Sequence, residues 1–198
     1  MADEPEIDTS KKHPLEHTWS LWYDNPAGKQ KQSTWGSTLR MVYTFNTVED
    51  FWCLYNNIVA PSKLIHGTDF HLFKEGIEPK WEDPRNAKGG KWTYNIPKGA
   101  NRGSTDQCWL NVLLSLIGEQ YAEPSEVCGA VISVRQKGDR CSIWTRTSSN
   151  ETVQMALGRQ FKQFCGVTQN GGEMARIGYM VHDDAIKLDR KAKDRYTV

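Results

Sequence analysis

Short apolar segments of period two recur along this chain, and only three stretches switch to the 3.6-residue period of a helix. Residues 17–23 are rich in aromatics and read as a strand, followed by a polar loop over 24–37. In 38–45 the apolar positions alternate as Leu39, Met41, Tyr43 and Phe45, the pattern of a half-buried strand. Thr47, with Asp50 three residues on, is a capping box that opens a helix, and Phe51, Leu54, Tyr55 and Ile58 form its buried stripe. Strands are predicted at 69–74 and 91–96, with an irregular Pro- and Gly-punctuated stretch between them. Ser104-x-x-Gln107 caps a second helix that runs to about Ile117. Segments 127–134 and 141–146 form a hairpin, and Ser148-x-x-Glu151 starts a third helix with Val153, Leu157, Phe161 and Phe164 on one side. Closing strands are predicted at 175–181 and 195–198. Strands that lead, with three helices interrupting them, define an α+β fold around a mostly antiparallel sheet.

Composition narrows the function classes. At 198 residues and 22.6 kDa the chain suits one domain, here residues 13–198 behind a disordered, acidic and polar arm at 1–12. Twenty-five Lys+Arg against 24 Asp+Glu leave a net charge of +1, which excludes wholesale attraction to nucleic acid but not a local basic patch. No apolar run approaches the roughly 18 residues of a membrane helix, and the acidic start is unlike a signal or transit peptide. The five cysteines, Cys53, Cys108, Cys128, Cys141 and Cys165, contain no C-x-x-C pair and read as reduced thiols of the cytosol or nucleus. Neither they nor the histidines have metal-ligand spacing, so no metal site is expected. No nucleophile elbow, phosphate loop or dinucleotide fingerprint is present, and no catalysis is indicated.

Tryptophan is the unusual residue: eight in 198 are more than a core usually demands, so some are candidates for stacking on a ligand. Trp35 lies in a polar loop and Trp81 between two prolines; each is either a lid over a small apolar cluster or a stacking surface. Two such rings can sandwich a flat cationic ligand, at roughly 0.5–2 kcal/mol per desolvated contact. Glu82 is suited to accept two parallel N–H donors from a guanine edge, or is simply a solvated carboxylate. With Gly138-Asp139 as a two-residue turn, Lys137 faces Arg140, Arg135 faces Ser142 and Ser133 faces Trp144. That register puts Arg135, Lys137, Arg140 and Trp144 on one face, where three cations suit a polyphosphate; the alternative is an ordinary charged hairpin. Val48, Trp52 and the apolar residues that run most of the way round helix two are either buried on several sides or meet a partner.

Several motifs follow one another in order: His13-Pro-Leu, Ser33-Thr-Trp35, Thr47-Val-Glu-Asp-Phe-Trp52, Gly76-Ile-Glu-Pro-Lys-Trp-Glu-Asp83, Gly89-Gly-Lys-Trp92, Leu113-Leu-Ser-Leu-Ile-Gly-Glu119, Val127-Cys-Gly-Ala-Val131, Val134-Arg-Gln-Lys-Gly-Asp-Arg140 and Ile143-Trp-Thr145. Together they resemble the eukaryotic translation initiation factor 4E family, and the ending is most similar to plant or algal members. The resemblance implies a curved, eight-stranded, mostly antiparallel sheet with three long helices on its convex face. It implies a non-enzymatic protein without cofactors that binds the 7-methylguanosine 5′ cap of mRNA. In that reading Trp35 and Trp81 sandwich the base, Glu82 pairs with its edge, Trp144 packs on the methyl group, and Arg135, Lys137 and Arg140 hold the triphosphate. A convex surface matching His13, Pro14, Val48, Trp52, Leu110, Leu114 and Gly118 would take the Y-x-x-x-x-L-Φ helix of scaffold initiation factor 4G. A repressor that binds caps but engages inhibitory partners is the alternative, whereas a decapping hydrolase would need metal-binding carboxylates where this chain has cations. The implied protein is monomeric before complex assembly, cytoplasmic or also nuclear, and touches no membrane. Asn111 stands where many relatives have Glu, Lys91 where others have Arg, and the 189–193 tail lacks the phosphorylatable residue of animal members.

Overall fold

The computed structural model describes residues 11–25, 38–97, 103–166, 176–188 and 192–198. Eight strands form one sheet: β1 (Pro14–Asp24), β2 (Leu39–Thr47), β3 (Asp69–Lys74), β4 (Gly90–Pro97), β5 (Val127–Ser133), β6 (Gly138–Thr145), β7 (Gly178–Val181) and β8 (Tyr196–Thr197). Their order is β2-β1-β3-β5-β6-β4-β7-β8, and every neighbouring pair is antiparallel. Three long helices, α1 (Val48–Asn57), α2 (Gly103–Ile117) and α3 (Glu151–Phe164), contribute to one apolar core with one face of the sheet. The fold class expected from the sequence is therefore the one observed. Among the described residues, no helix is long and apolar enough to cross a membrane.

Period-two alternation assigns each strand residue to a side. Phe70 and Leu72 of β3, Ala130 and Ile132 of β5, Cys141 and Ile143 of β6, and Trp92 and Ile96 of β4 face the helices. Asp69 and His71, Val131 and Ser133, Arg140, Ser142 and Trp144, and Lys91, Thr93 and Asn95 alternate with them and line the opposite face. Trp19, Trp92 and Trp109 are fully enclosed on the helix side, so three of the surplus tryptophans are core residues. Packing there is tight: a Cβ on Gly158 of α3 would meet Trp92 at 2.6 Å, so only glycine allows the helix this close to β4.

Local signals were accurate where a side chain caps its own neighbourhood. The Thr47 hydroxyl accepts from the Asp50 N–H at 3.2 Å, the expected N-cap, and the Asp50 carboxylate accepts from that same hydroxyl at 2.8 Å, a variant of the capping box. Phe51 is buried, and Leu54, Tyr55 and Ile58 pack partly against the core. For α3, however, Asn150 rather than Ser148 is the cap, accepting from Val153 N–H at 3.3 Å. Ser104 lies inside α2, whose described part begins at Gly103. Edge strand β2 leaves Met41 and Tyr43 exposed, against the expected half-burial. A short fourth helix, α4 (His182–Leu188), follows β7 where no helix was predicted from the sequence.

The hairpin register also differs. Ser133 pairs with Arg140 and Val131 with Ser142, not Arg135 with Ser142. Gly138 already belongs to β6, where it pairs with Pro97 at φ 142°, so it is not a turn residue. A wider loop forms because the Asp139 carboxylate closes it from inside, accepting from the Arg135 N–H at 3.0 Å and the Thr105 hydroxyl at 2.8 Å. The slip is an even number of residues, so Arg140 and Trp144 keep the predicted face while Lys137 is moved into the exposed turn. Most of the predicted arm lies outside the described residues; Lys12, placed within it, is held to Asp50 at 2.8 Å.

Candidate cap-binding site

The sheet face away from the helices encloses a cavity of about 1010 Å³. Trp144 projects from β6 into it, packed edge-on against Phe73 at 5.4 Å and against the His182 ring at 4.3 Å. Trp81 is stacked with the same imidazole, 6.4 Å away and 28° from parallel. His182, the first residue of α4, thus braces both indoles. Burial pushes its pKa down to about 3, which keeps the ring neutral beside the aromatic faces.

The loop that carries Trp81 is pinned from within. Buried Asn86 donates from Nδ2 to the carbonyls of Glu78 at 2.8 Å and Lys80 at 2.9 Å. The Asp83 carboxylate accepts from the Glu78 N–H at 2.9 Å and the Arg85 N–H at 2.8 Å. These bonds hold Trp81 half-buried at the cavity wall and leave its neighbour Glu82 exposed.

Cations gather along the same cavity. Arg135 is anchored: Nη2 donates to both Asp69 carboxylate oxygens at 2.9 and 3.0 Å, and Nη1 to the carbonyls of Thr68 and Val134 at 3.1 and 3.0 Å. Arg140 is exposed on β6. Lys91 on β4 pairs with Trp144 in the sheet, and its burial, with Arg140 adding repulsion, lowers its pKa. His71 is buried on β3 with no hydrogen-bond partner at either ring nitrogen among the described residues; burial takes its pKa down to about 4. Anions and flat rings are therefore the chemistry this cavity offers: indole faces at one end, fixed guanidinium charge at the other.

Of the residues singled out from sequence, the cavity wall brings together Trp81, Trp144, Arg135 and Arg140, and it includes neither Glu82 nor Lys137. Trp35 lies outside the described residues. His182 and His71 were missed: no local motif marks them, and only sheet pairing brings His71 to the cavity and α4 brings His182 against Trp81 and Trp144.

The other predicted surface lies on the helix side. The Val48 N–H donates to the His13 carbonyl at 2.9 Å, and the His13 ring meets Glu49 at 2.6 Å. These bonds tie the start of β1, with exposed Pro14, to the first turn of α1 and lower the Glu49 pKa to about 2. Trp52 and Leu114 are each 37% exposed, Leu110 is half-buried, and Gly118 is exposed at the end of α2. Asn111 accepts a hydrogen bond from Gln107 at 2.8 Å.

Fold and cavity define a small single-domain protein with one aromatic, cationic ligand face and one separate apolar helix face. The family profile described as Eukaryotic initiation factor 4E matches residues 14–197. Eukaryotic translation initiation factor 4E-2 of Solanum lycopersicum is 55% identical over 187 residues, 94% of this chain and 80% of that protein. Eukaryotic translation initiation factor 4E-1 of Oryza sativa subsp. japonica is 53% identical over 194 residues, 98% of this chain and 81% of that protein. Among solved structures, Ascaris suum eIF4E-3 in complex with m2,2,7G cap superposes with a TM-score of 0.84 at 40% identity, covering 95% of this chain and 99% of that one. The C. elegans eIF4E-3 complex with the 4E-binding protein Mextli and cap analog gives 0.83 at 38% identity, with 95% and 100% covered. The chain belongs to the eukaryotic initiation factor 4E family, with plant proteins among its close relatives; members of this family are initiation factors and not enzymes.

Proposed function

We propose that this protein binds the 7-methylguanosine 5′ cap of mRNA in the cavity and recruits a scaffold initiation factor, of the 4G type, to start translation in the cytoplasm. The convergence of Trp81, Trp144 and the arginines 135 and 140 on one cavity carries the reading. The relatives solved with cap ligands support it. Residues 13–198 act as the cap-binding domain.

N7-methylation gives guanine a positive charge, and that charge is what two indole faces attract, at roughly 0.5–2 kcal/mol per contact. Trp81 supplies one face and Trp35 the other. Glu82 accepts from the N–H groups of the guanine edge, a charge-assisted pair that also gains from the cation. Trp144 packs on the methyl group. Arg140 and Lys137 are exposed and able to swing toward the triphosphate, while Arg135 offers a fixed charge oriented by Asp69. On the far side, Trp52 is the anchor for an amphipathic helix, with Val48, Leu110 and Leu114 around it and His13, Pro14 and Gly118 at the rim.

Chromatography on immobilised 7-methyl-GTP tests the reading. The protein is expected to be retained, to elute with free 7-methyl-GTP but not with GTP, and to lose retention in Glu82→Ala. Equal elution by GTP would remove the methyl-specific account.

A further inference from the structure

Three cysteines that the sequence scatters meet at one point of the core. Cys108 comes from α2, Cys141 from β6 and Cys165 from the C-terminal end of α3, and their sulfurs all lie within 4.8 Å of one another. They are 3%, 0% and 6% exposed, and none is disulfide-bonded. Each sulfur sits on a separately packed element, so the triangle is assembled by folding before any ligand arrives. Three sulfurs gathered at one point present a soft donor set.

We propose that Cys108, Cys141 and Cys165 form a buried three-sulfur site for Cu(I). Thiolate sulfur selects soft ions such as Cu(I) and Zn(II), and structural Zn(II) takes four ligands in a closed tetrahedron. Among the described residues no fourth Cys, His, Asp or Glu joins the three. Three sulfurs without a fourth donor fit the low coordination number of Cu(I). On binding, two thiols release their protons to solvent as their sulfur–copper bonds form, and the third sulfur coordinates through a lone pair. Copper stays monovalent throughout, so no oxidant or reductant enters, and the complex carries one net negative charge. Spacing could not reveal this site, because its ligands share no motif and are joined only by the packing of α2, β6 and α3.

The test is an anaerobic titration of the reduced, metal-free full chain with Cu(I) against a chromophoric Cu(I) chelator. One Cu(I) per chain is expected, with an ultraviolet thiolate-to-copper band and two protons released per ion. Cys165→Ala, at the edge of the cluster, should weaken retention about 100-fold while its circular dichroism stays native; Cys108→Ala should do the same. Cys53→Ser, which alters an exposed cysteine outside the cluster, should retain the ion unchanged. Failure to hold copper against the chelator, unchanged retention in Cys165→Ala, or stoichiometric zinc in preference to copper would each overturn the proposal.

Discussion

The two faces of one sheet have the same backbone and opposite chemistry. On the helix side, Trp19, Leu72, Ile132, Ile143 and Trp92 are sealed by α1, α2 and α3, and burial of their area drives folding. On the open side the same strands present Asp69, His71, Arg140, Ser142 and Lys91 around a cavity. Imidazoles there lie buried without hydrogen-bond partners among the described residues at His71 and His182, an arrangement that costs stability and is typical of a site built for something else. The helix side tolerates its own exceptions, among them the indole N–H groups of Trp19, Trp92 and Trp109, because each ring buries enough apolar surface to outweigh the cost. One face is thus organised for stability and the other for a ligand, and mutations should separate them.

The largest separation is expected at Trp109, on the fully buried side of α2. Trp109→Ala should cost roughly 3–5 kcal/mol of unfolding free energy in urea, while molecules that remain folded keep their affinity for 7-methyl-GTP. Arg135→Ala should blur the division, because it leaves the Asp69 carboxylate buried without its partner. A loss of about 2–3 kcal/mol in urea unfolding is expected together with weaker cap-analogue binding; a binding loss alone would show that Asp69 finds another donor.

Acid should act on the open face next. His71 and His182 are held neutral in the fold, with pKa values of about 4 and about 3 against an ordinary 6.5. Well above pH 6.5 neither folded nor unfolded rings carry protons, so this stability is fully present. Below it the unfolded chain binds protons that the fold refuses, and stability falls as pH drops toward the folded values. At pH 5 the loss is about 2 kcal/mol per ring, readable as a shift in urea midpoint that shrinks in His182→Phe. The smallest effect belongs to Lys137, exposed in the hairpin turn and outside the cavity wall. Lys137→Ala should change cap-analogue affinity by a few tenths of a kcal/mol and leave stability untouched, as expected for a screened surface charge.

How much of this was legible in the sequence depended on range. Strand β3 and the Thr47 cap were readable because alternation and capping are decided within a few residues. The faces of β5 and β6 were also readable: an even slip preserves them, so Trp144 and Arg140 were assigned the correct side from a wrong register. That register itself was hidden, since Asp139 sets the loop through a side chain that reaches Thr105 on α2. Asn150 displaced Ser148 as a cap because several polar residues there can each serve. His182, the brace between Trp81 and Trp144, and the three clustered thiols depend on long-range packing and leave no local trace.

The central claim is that the open face reads the methylated base while the helix face does not take part. Intrinsic tryptophan fluorescence, titrated with 7-methyl-GTP and with GTP on wild type, Trp81→Ala and Trp52→Ala, tests it most directly. The account predicts quenching at least tenfold more sensitive to the methylated ligand, lost in Trp81→Ala and intact in Trp52→Ala. Equal, weak quenching by both nucleotides, or wild-type binding by Trp81→Ala, would contradict it.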